Sequence, residues 1–491
     1  MKNIKFFVAL FILTATTGTN ALRAQTLDKA ELNEIKSSFV KDTKTQALQN
    51  ILTADKNISN KTKNWDVNGK IDHFFKYKVN VKGITDQHSS GRCWMFTSMN
   101  ALRPLVIDKY SLKEFDFSHN YSYFWDILEK SNLFLENIIA TAHKDMNNRE
   151  VVTFFKSPVN DGGVWNLFYN IAEKYGVVPQ SVMPESEHSN NTGQMIKIIN
   201  ERLRAGGYSI RTLAQNNDKN GTINITTKNK TVKLNSKKAN AQIGTKTLEA
   251  MRVQKTEVLK DIYRVLSLCL GEPPTEFTWR YKTKEGEIET LTSTPKEFYK
   301  NILPANYNPQ TYIMTMNDPT REYFKVYEIK NYRNTIEGIN WVYLNLPNDQ
   351  LKTSALASIK DNEPMYTSCD VGKQLDRENG ILDINNFNAE ALFGIKIKMD
   401  KKARILTRQS GSSHAMLLIA CDTDENDIPI KWEFENSWGA ASGNKGYLTL
   451  TDEWFSEYMF RLVINKKYLS PKAIQALDQE PIQLPVWDYM F

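Results

Sequence analysis

Residues 85–103 read TDQHSSGRCWMFTSMNALR, and the rest of the chain is best read outward from them. Gln87 stands six positions before Cys93, Trp94 follows the cysteine, and the apolar run beyond predicts a helix over about 93–105. A cysteine that attacks a carbonyl needs an acidic thiol, a general base and donors for the oxyanion. A helix start carries partial positive charge, which favours a thiolate at Cys93. The Gln87 side-chain amide and the Cys93 backbone N–H are two candidate oxyanion donors. A free cysteine is more often a small buried hydrophobe than a nucleophile, so the case depends on finding its base.

The chain has six histidines, and His414 alone heads an apolar run that reads as a buried strand, HAMLLIAC. After the polar turn DTDENDIP comes KWEFENSWG, an alternating strand ending in Asn436-Ser437-Trp438-Gly439. A histidine and an asparagine at the ends of adjacent strands can meet, and the amide then orients the imidazole.

These two elements, in the order Gln, Cys, His, Asn, resemble those of papain-type cysteine peptidases. The blocks SSGRCW, DGGVWNLFYNIAEKYGVVPQSVMPES, LCLGEPPTEFTW, YTSCDVGK, SHAML, ENSWG, NKGYLTLTDEWFSEY and LPVWD narrow the resemblance to the bleomycin hydrolase and bacterial aminopeptidase C family. They run from about residue 70 to the C-terminus. Papain's local signature has a further cysteine upstream of the nucleophile; here Ser90 replaces it, and Asn160 replaces its disulfide partner. The resemblance implies an α+β, two-lobed fold: a helical lobe with Cys93, and an antiparallel β lobe with His414 and Asn436. It also implies Gln87 as oxyanion donor, Gly162 and Gly163 as a flat rest for substrate backbone, and Trp438 over the His414–Asn436 contact. A C-terminal arm would lie in the cleft, with the Phe491 carboxylate facing the substrate amine and enforcing aminopeptidase action. The tail LPVWDYMF ends shorter than the usual family end, which would make room for dipeptide release or endopeptidase cleavage. Peptides are the expected substrates, and a homo-hexamer the expected assembly.

Length and composition suit a large globular enzyme: 491 residues, 41% hydrophobic and 24% charged. The formal charge is +7, and residues 1–24 hold Lys2, Lys5 and Arg23 with no acid, so a processed chain carries about +4. That mild excess supports no nucleic-acid role. A non-catalytic binding protein is the reading from a different class, and the complete Gln87, Cys93, His414 and Asn436 set argues against it. MKNIKFFVALFILTATTG, a basic start and an apolar run too short to span a bilayer, reads as a secretory signal, cleaved after Ala21 or Ala24. No cysteine follows it to carry a lipid anchor. Export to the periplasm or medium would depart from family members, which are typically cytoplasmic. Of the four cysteines, Cys269 and Cys421 lie in apolar runs and are expected to be buried. No spacing suggests a metal site, and no cofactor is expected.

Six segments follow: a signal peptide (1–24), an N-terminal extension of helical flavour (25–70), the helical catalytic lobe (71–186), an α+β insertion papain lacks (187–400), the β catalytic lobe (401–470) and the C-terminal arm (471–491). The lobe has helical spacing over 120–142 and 165–175. TGQMIKIINERLRAGG and LEAMRVQKTEVLKDIYRVLSLCL read as insertion helices, with TINITTKNKTVKL between them as a hairpin or solvated loop. Thr294-Pro295-Lys296-Glu297 is a capping box. TYIMTM, YFKVYEI, INWVYLNL, KGYLTLT and MFRLVIN read as strands.

Overall fold

A computed structural model describes residues 24–67, 69–220, 222–227, 230–235, 244–304 and 307–489. The chain divides into two units at Thr62. The first carries helices Lys29–Ser37, Thr43–Ala54 and Ile58–Thr62. Asp28 and Asp42 cap the first two by accepting from first-turn N–H groups. The extension thus stops short of residue 70. Lys63 already belongs to the second unit, pairing with Asp376 at 3.1 Å and bridging to Phe387.

The second unit is an α+β fold built on a twelve-stranded sheet. Its centre is the strand His414–Thr423, antiparallel to Pro429–Glu435 on one side and to Met365–Cys369 on the other. Tyr447–Thr451 extends the first side, and Met459–Asn465 the second. The sheet then continues through Tyr312–Met316, Trp341–Asn345, Lys325–Ile329 and Ile482–Leu484. Strands from 312–382, which the sequence reading places in the insertion, are therefore part of the same sheet as His414. Short alternating segments do not reveal which partner they pair with, so their register here was not legible. The His414 strand is buried on nearly every residue, which explains why its sequence is continuously apolar rather than alternating.

Two cores cover the two faces. One gathers Trp94, Met99 and Leu102 of the helix Cys93–Lys109, Phe124 and Ile127 of His119–Ala140, and Leu203 and Val258 of the long helices Gly193–Asn220 and Thr245–Leu270. The other packs Leu351 and Ile359 of Asn348–Lys360 against Leu418, Trp432 and Trp454. The insertion helices thus share the catalytic helix's core. Thr294 caps Pro295–Ile302 through the expected reciprocal box with Glu297. TINITTKNKTVKL forms the antiparallel pair Thr222–Thr227 and Lys230–Asn235. Cys421 is buried, but Cys269 is only half-buried; it sits at a helix end beside exposed Leu268, where an apolar run cannot turn every side chain inward. Among the described residues no helix is long and apolar enough to cross a membrane.

Candidate active site

Cys93 is the first residue of its helix, after Arg92 at the N-cap position, which makes no side-chain cap bond. The Met95 and Phe96 N–H groups bond Arg92 O at 2.9 and 3.1 Å, whereas those of Cys93 and Trp94, which have no acceptor within the helix, act on the thiol. The Ala415 N–H also reaches the Cys93 sulfur, so the helix start abuts the strand that begins at His414. His414 Nε2 lies 2.8 Å from Asn436 Oδ1. That oxygen also accepts the Ser437 N–H at 2.8 Å, which fixes the orientation of the amide. An amide oxygen only accepts, so Nε2 carries the proton and Nδ1 is the basic nitrogen. Trp438 stacks on the imidazole with centroids 4.7 Å apart and 28° between planes.

Burial opposes a lone charge on either group. It pushes the Cys93 thiol up to about 11, against the Ala415 and Trp94 N–H groups that lower it. It presses His414 down to about 4, opposed by the Asn436 bond and assisted by the charge of Arg377. The helix start favours a thiolate at Cys93, but desolvation of a lone charge opposes it more strongly. Proton transfer from Sγ to Nδ1 instead creates the two charges together, each as the other's counter-ion.

Gln87 joins the same cluster. Its backbone N–H donates to Ser437 O at 2.9 Å, its Oε1 accepts the Ser437 hydroxyl at 2.7 Å, and its Nε2 donates to Ser90 O at 2.6 Å. A side-chain amide has two N–H donors, so one remains beyond the Ser90 bond. Cys93, His414, Asn436, Gln87 and Trp438 are thus brought together. Phe491 lies outside the described residues, as does the expected signal segment through residue 23.

The two glycines separate in role. A Cβ on Gly163 would lie 2.6 Å from the Trp94 indole, so this position is glycine because the ring behind the nucleophile packs against it. A Cβ on Gly162 would meet only Asn160 Oδ1 at 3.2 Å, and Gly162 lines a cavity of about 440 Å³. Phe134, Leu167, Tyr332 and Trp487 line it too. The loop is pinned by Asp161, whose carboxylate accepts the Gly91 N–H and the Thr192 hydroxyl, both at 2.6 Å, and whose carbonyl accepts Trp94 Nε1 at 2.8 Å. The C-terminal arm borders the same cavity. Ile482–Leu484 pairs with Lys325–Ile329, Asp488 pairs with Arg321 at 2.5 Å, and Trp487 lies under the Arg149 guanidinium.

A buried polar network missed in the sequence ties the two lobes. Arg103, on the catalytic helix, donates to Glu435 Oε1 at 2.6 Å, Gly83 O at 2.9 Å and Asn100 Oδ1 at 3.0 Å. Asn100 in turn donates to Thr85 Oγ1 at 3.0 Å. Glu435 precedes Asn436, so the network positions both the strand end and the segment leading to Gln87. Burial pushes the Glu435 carboxyl up to about 7 while Arg103 pulls it down. The available signal was a cation and an amide three residues apart inside an apolar helix. Among the described residues no group of three or more His, Cys, Asp or Glu is placed to hold a metal ion.

Known proteins resemble this chain over most of its length. The Peptidase C1-like family matches residues 26–236 and 228–491. Bleomycin hydrolase of Mus musculus is 36% identical over 85% of this chain and 88% of its own length. Aminopeptidase C of Listeria monocytogenes is 36% identical over 85% and 87%, and aminopeptidase G of Lactobacillus delbrueckii subsp. lactis 33% identical over 93% and 98%. The crystal structure of pepw from lactobacillus rhamnosis superposes with a TM-score of 0.84 at 30% identity, covering 95% of this chain and 98% of that one. With that coverage, the chain belongs to the Peptidase C1-like family and is a cysteine-type peptidase similar to the bleomycin hydrolases and aminopeptidases C.

Proposed function

We propose that the protein is an exported aminopeptidase that removes N-terminal residues from peptides through Cys93, His414 and Asn436. The observation that carries this is the oriented imidazole: Nε2 is committed to Asn436 and Trp438 covers the ring, so Nδ1 is left for the thiol beside Ala415. Cys93 Sγ gives its proton to Nδ1 as it attacks the peptide carbonyl. The Cys93 N–H and the remaining Gln87 N–H stabilise the oxyanion. The resulting His414 imidazolium gives that proton to the leaving amine, and the neutral ring then takes a proton from the water that hydrolyses the thioester. Gly162 would leave the substrate backbone unobstructed, and Trp487 and Asp488 of the arm line the same cavity as Gly162. The names of the relatives, aminopeptidases C and G, support the exopeptidase reading.

A second reading takes the cavity of about 440 Å³ that Gly162 and Trp487 both line as room for a further substrate residue. On that reading the protein releases dipeptides or cleaves internally. One fluorogenic peptide with a free amino terminus and its acetylated twin separate the two, assayed with reductant beside Cys93→Ala. Cleavage of the free form alone, lost in the variant, supports the aminopeptidase. Cleavage of both supports the second reading, and cleavage of neither refutes both. Export and a homo-hexamer belong to the same proposal. The N-terminal sequence of the protein recovered outside the cytoplasm, and its sedimentation mass, test them.

A further inference from the structure

Arg377 is exposed, yet its guanidinium lies over the Trp438 ring, 4.8 Å from the centroid. Trp438 is the ring stacked on His414. The carboxylates adjacent in sequence are turned elsewhere: Asp376 pairs with Lys63 at 3.1 Å and accepts from Asn379 at 2.8 Å, and Glu378 lies 3.8 Å from Lys63. The other nearby acid is Asp86, which would contact a Cβ on Gly439; it accepts the His88 N–H at 2.8 Å and lies 3.6 Å from the His88 ring. Among the described residues Arg377 has no ion-pair or hydrogen-bond partner. Its charge nonetheless reaches the site, since it lowers the proton affinity of His414.

The direction of the reaction says which part of a substrate meets this cation. His414 must hand its proton to the departing nitrogen, so the leaving portion passes the Nδ1 edge of the imidazole whose face Trp438 covers. On the peptidase reading the acyl portion lies toward Gly162. A guanidinium resting on an aromatic face is held in one plane, keeps its in-plane N–H donors free, and matches a carboxylate in two-point contact.

We infer that Arg377, held on Trp438, is a specificity-determining residue that binds a carboxylate on the leaving side of the substrate. Two sources carry that group: the free C-terminus of a di- or tripeptide, and an Asp or Glu side chain at the first leaving position. The inference rests on the peptidase reading above. It adds that short peptides and acidic leaving residues are turned over faster than neutral counterparts, with the preference screened by salt because Arg377 is exposed.

The test uses the full processed chain with reductant and compares kcat/KM for a dipeptide with that for its C-terminal amide, at one pH. A longer peptide carrying Asp or Asn at the first leaving position forms the second arm. The expected preference for the carboxylate is about threefold to fivefold at low salt, in the range of an exposed ion pair, and shrinks at high salt. Arg377→Gln should bring the ratio to about one, and Arg377→Lys should retain part of it. Preference in the first arm alone assigns the C-terminus, and in the second alone the side chain. Equal kcat/KM for acid and amide in both arms, or a ratio unchanged in Arg377→Gln, overturns the assignment while leaving the peptidase reading intact. Turnover of no peptide by the wild type refutes the peptidase reading and this inference with it.

Discussion

Asn436→Ala isolates the contribution of one hydrogen bond to the chemistry. In the resting site the 2.8 Å bond from Nε2 joins neutral groups, a contact worth about 0.5–1.5 kcal/mol. Once Nδ1 accepts the thiol proton the donor is an imidazolium, and bonds to charged groups are worth about 1.5–3 kcal/mol. The difference, about 1–2 kcal/mol, is felt only when the charge exists, so kcat/KM should fall roughly 5–30-fold. The variant also leaves the buried Ser437 N–H without its acceptor, costing about 1–3 kcal/mol of stability. Steady-state kinetics on the free-amine peptide, run below the variant's own unfolding temperature, reads the first effect, and thermal unfolding reads the second. Alkylation of Cys93 by iodoacetamide should slow in parallel with kcat/KM, which a purely structural loss would not produce. A folded variant with kcat/KM within a factor of two of wild type would refute the orienting role.

Three further outcomes are expected. Because burial opposes a lone thiolate at Cys93, His414→Ala should move the pH midpoint of Cys93 alkylation upward from its wild-type position; identical profiles would contradict the paired-charge account. Arg103→Met strips buried Glu435 of its cation and should destabilise the fold by about 3–5 kcal/mol; adding Glu435→Gln should recover part of that in thermal unfolding, and a single variant with unchanged Tm would show the network to be dispensable. Gly163→Ala must displace the Trp94 ring and should cost about 1–3 kcal/mol, while Gly162→Ala should leave Tm near wild type and raise KM by narrowing the cavity. Equal Tm for the two glycine variants would contradict their separation.

Much of the site was legible because its chemistry is written locally. Gln87, Cys93 and Trp94 lie within eight residues, and His414 and Asn436 head and end neighbouring strands. The helix Trp165–Tyr175 and the box at Thr294 were readable because helix periodicity and capping are short-range. Arg103 and Glu435 were not, since a charge in an apolar run does not name the partner that neutralises it.

The sequence by itself determined the α+β class, the order of the catalytic groups and the family resemblance, since these depend on residue type and spacing. The tertiary structure decided which strands join His414's sheet, that the long insertion helices share the Cys93 core, and why Gly163 differs from Gly162. It also decided the burial that opposes a lone thiolate at Cys93: a pKa follows from burial and from neighbours distant in the chain, and only folding fixes either.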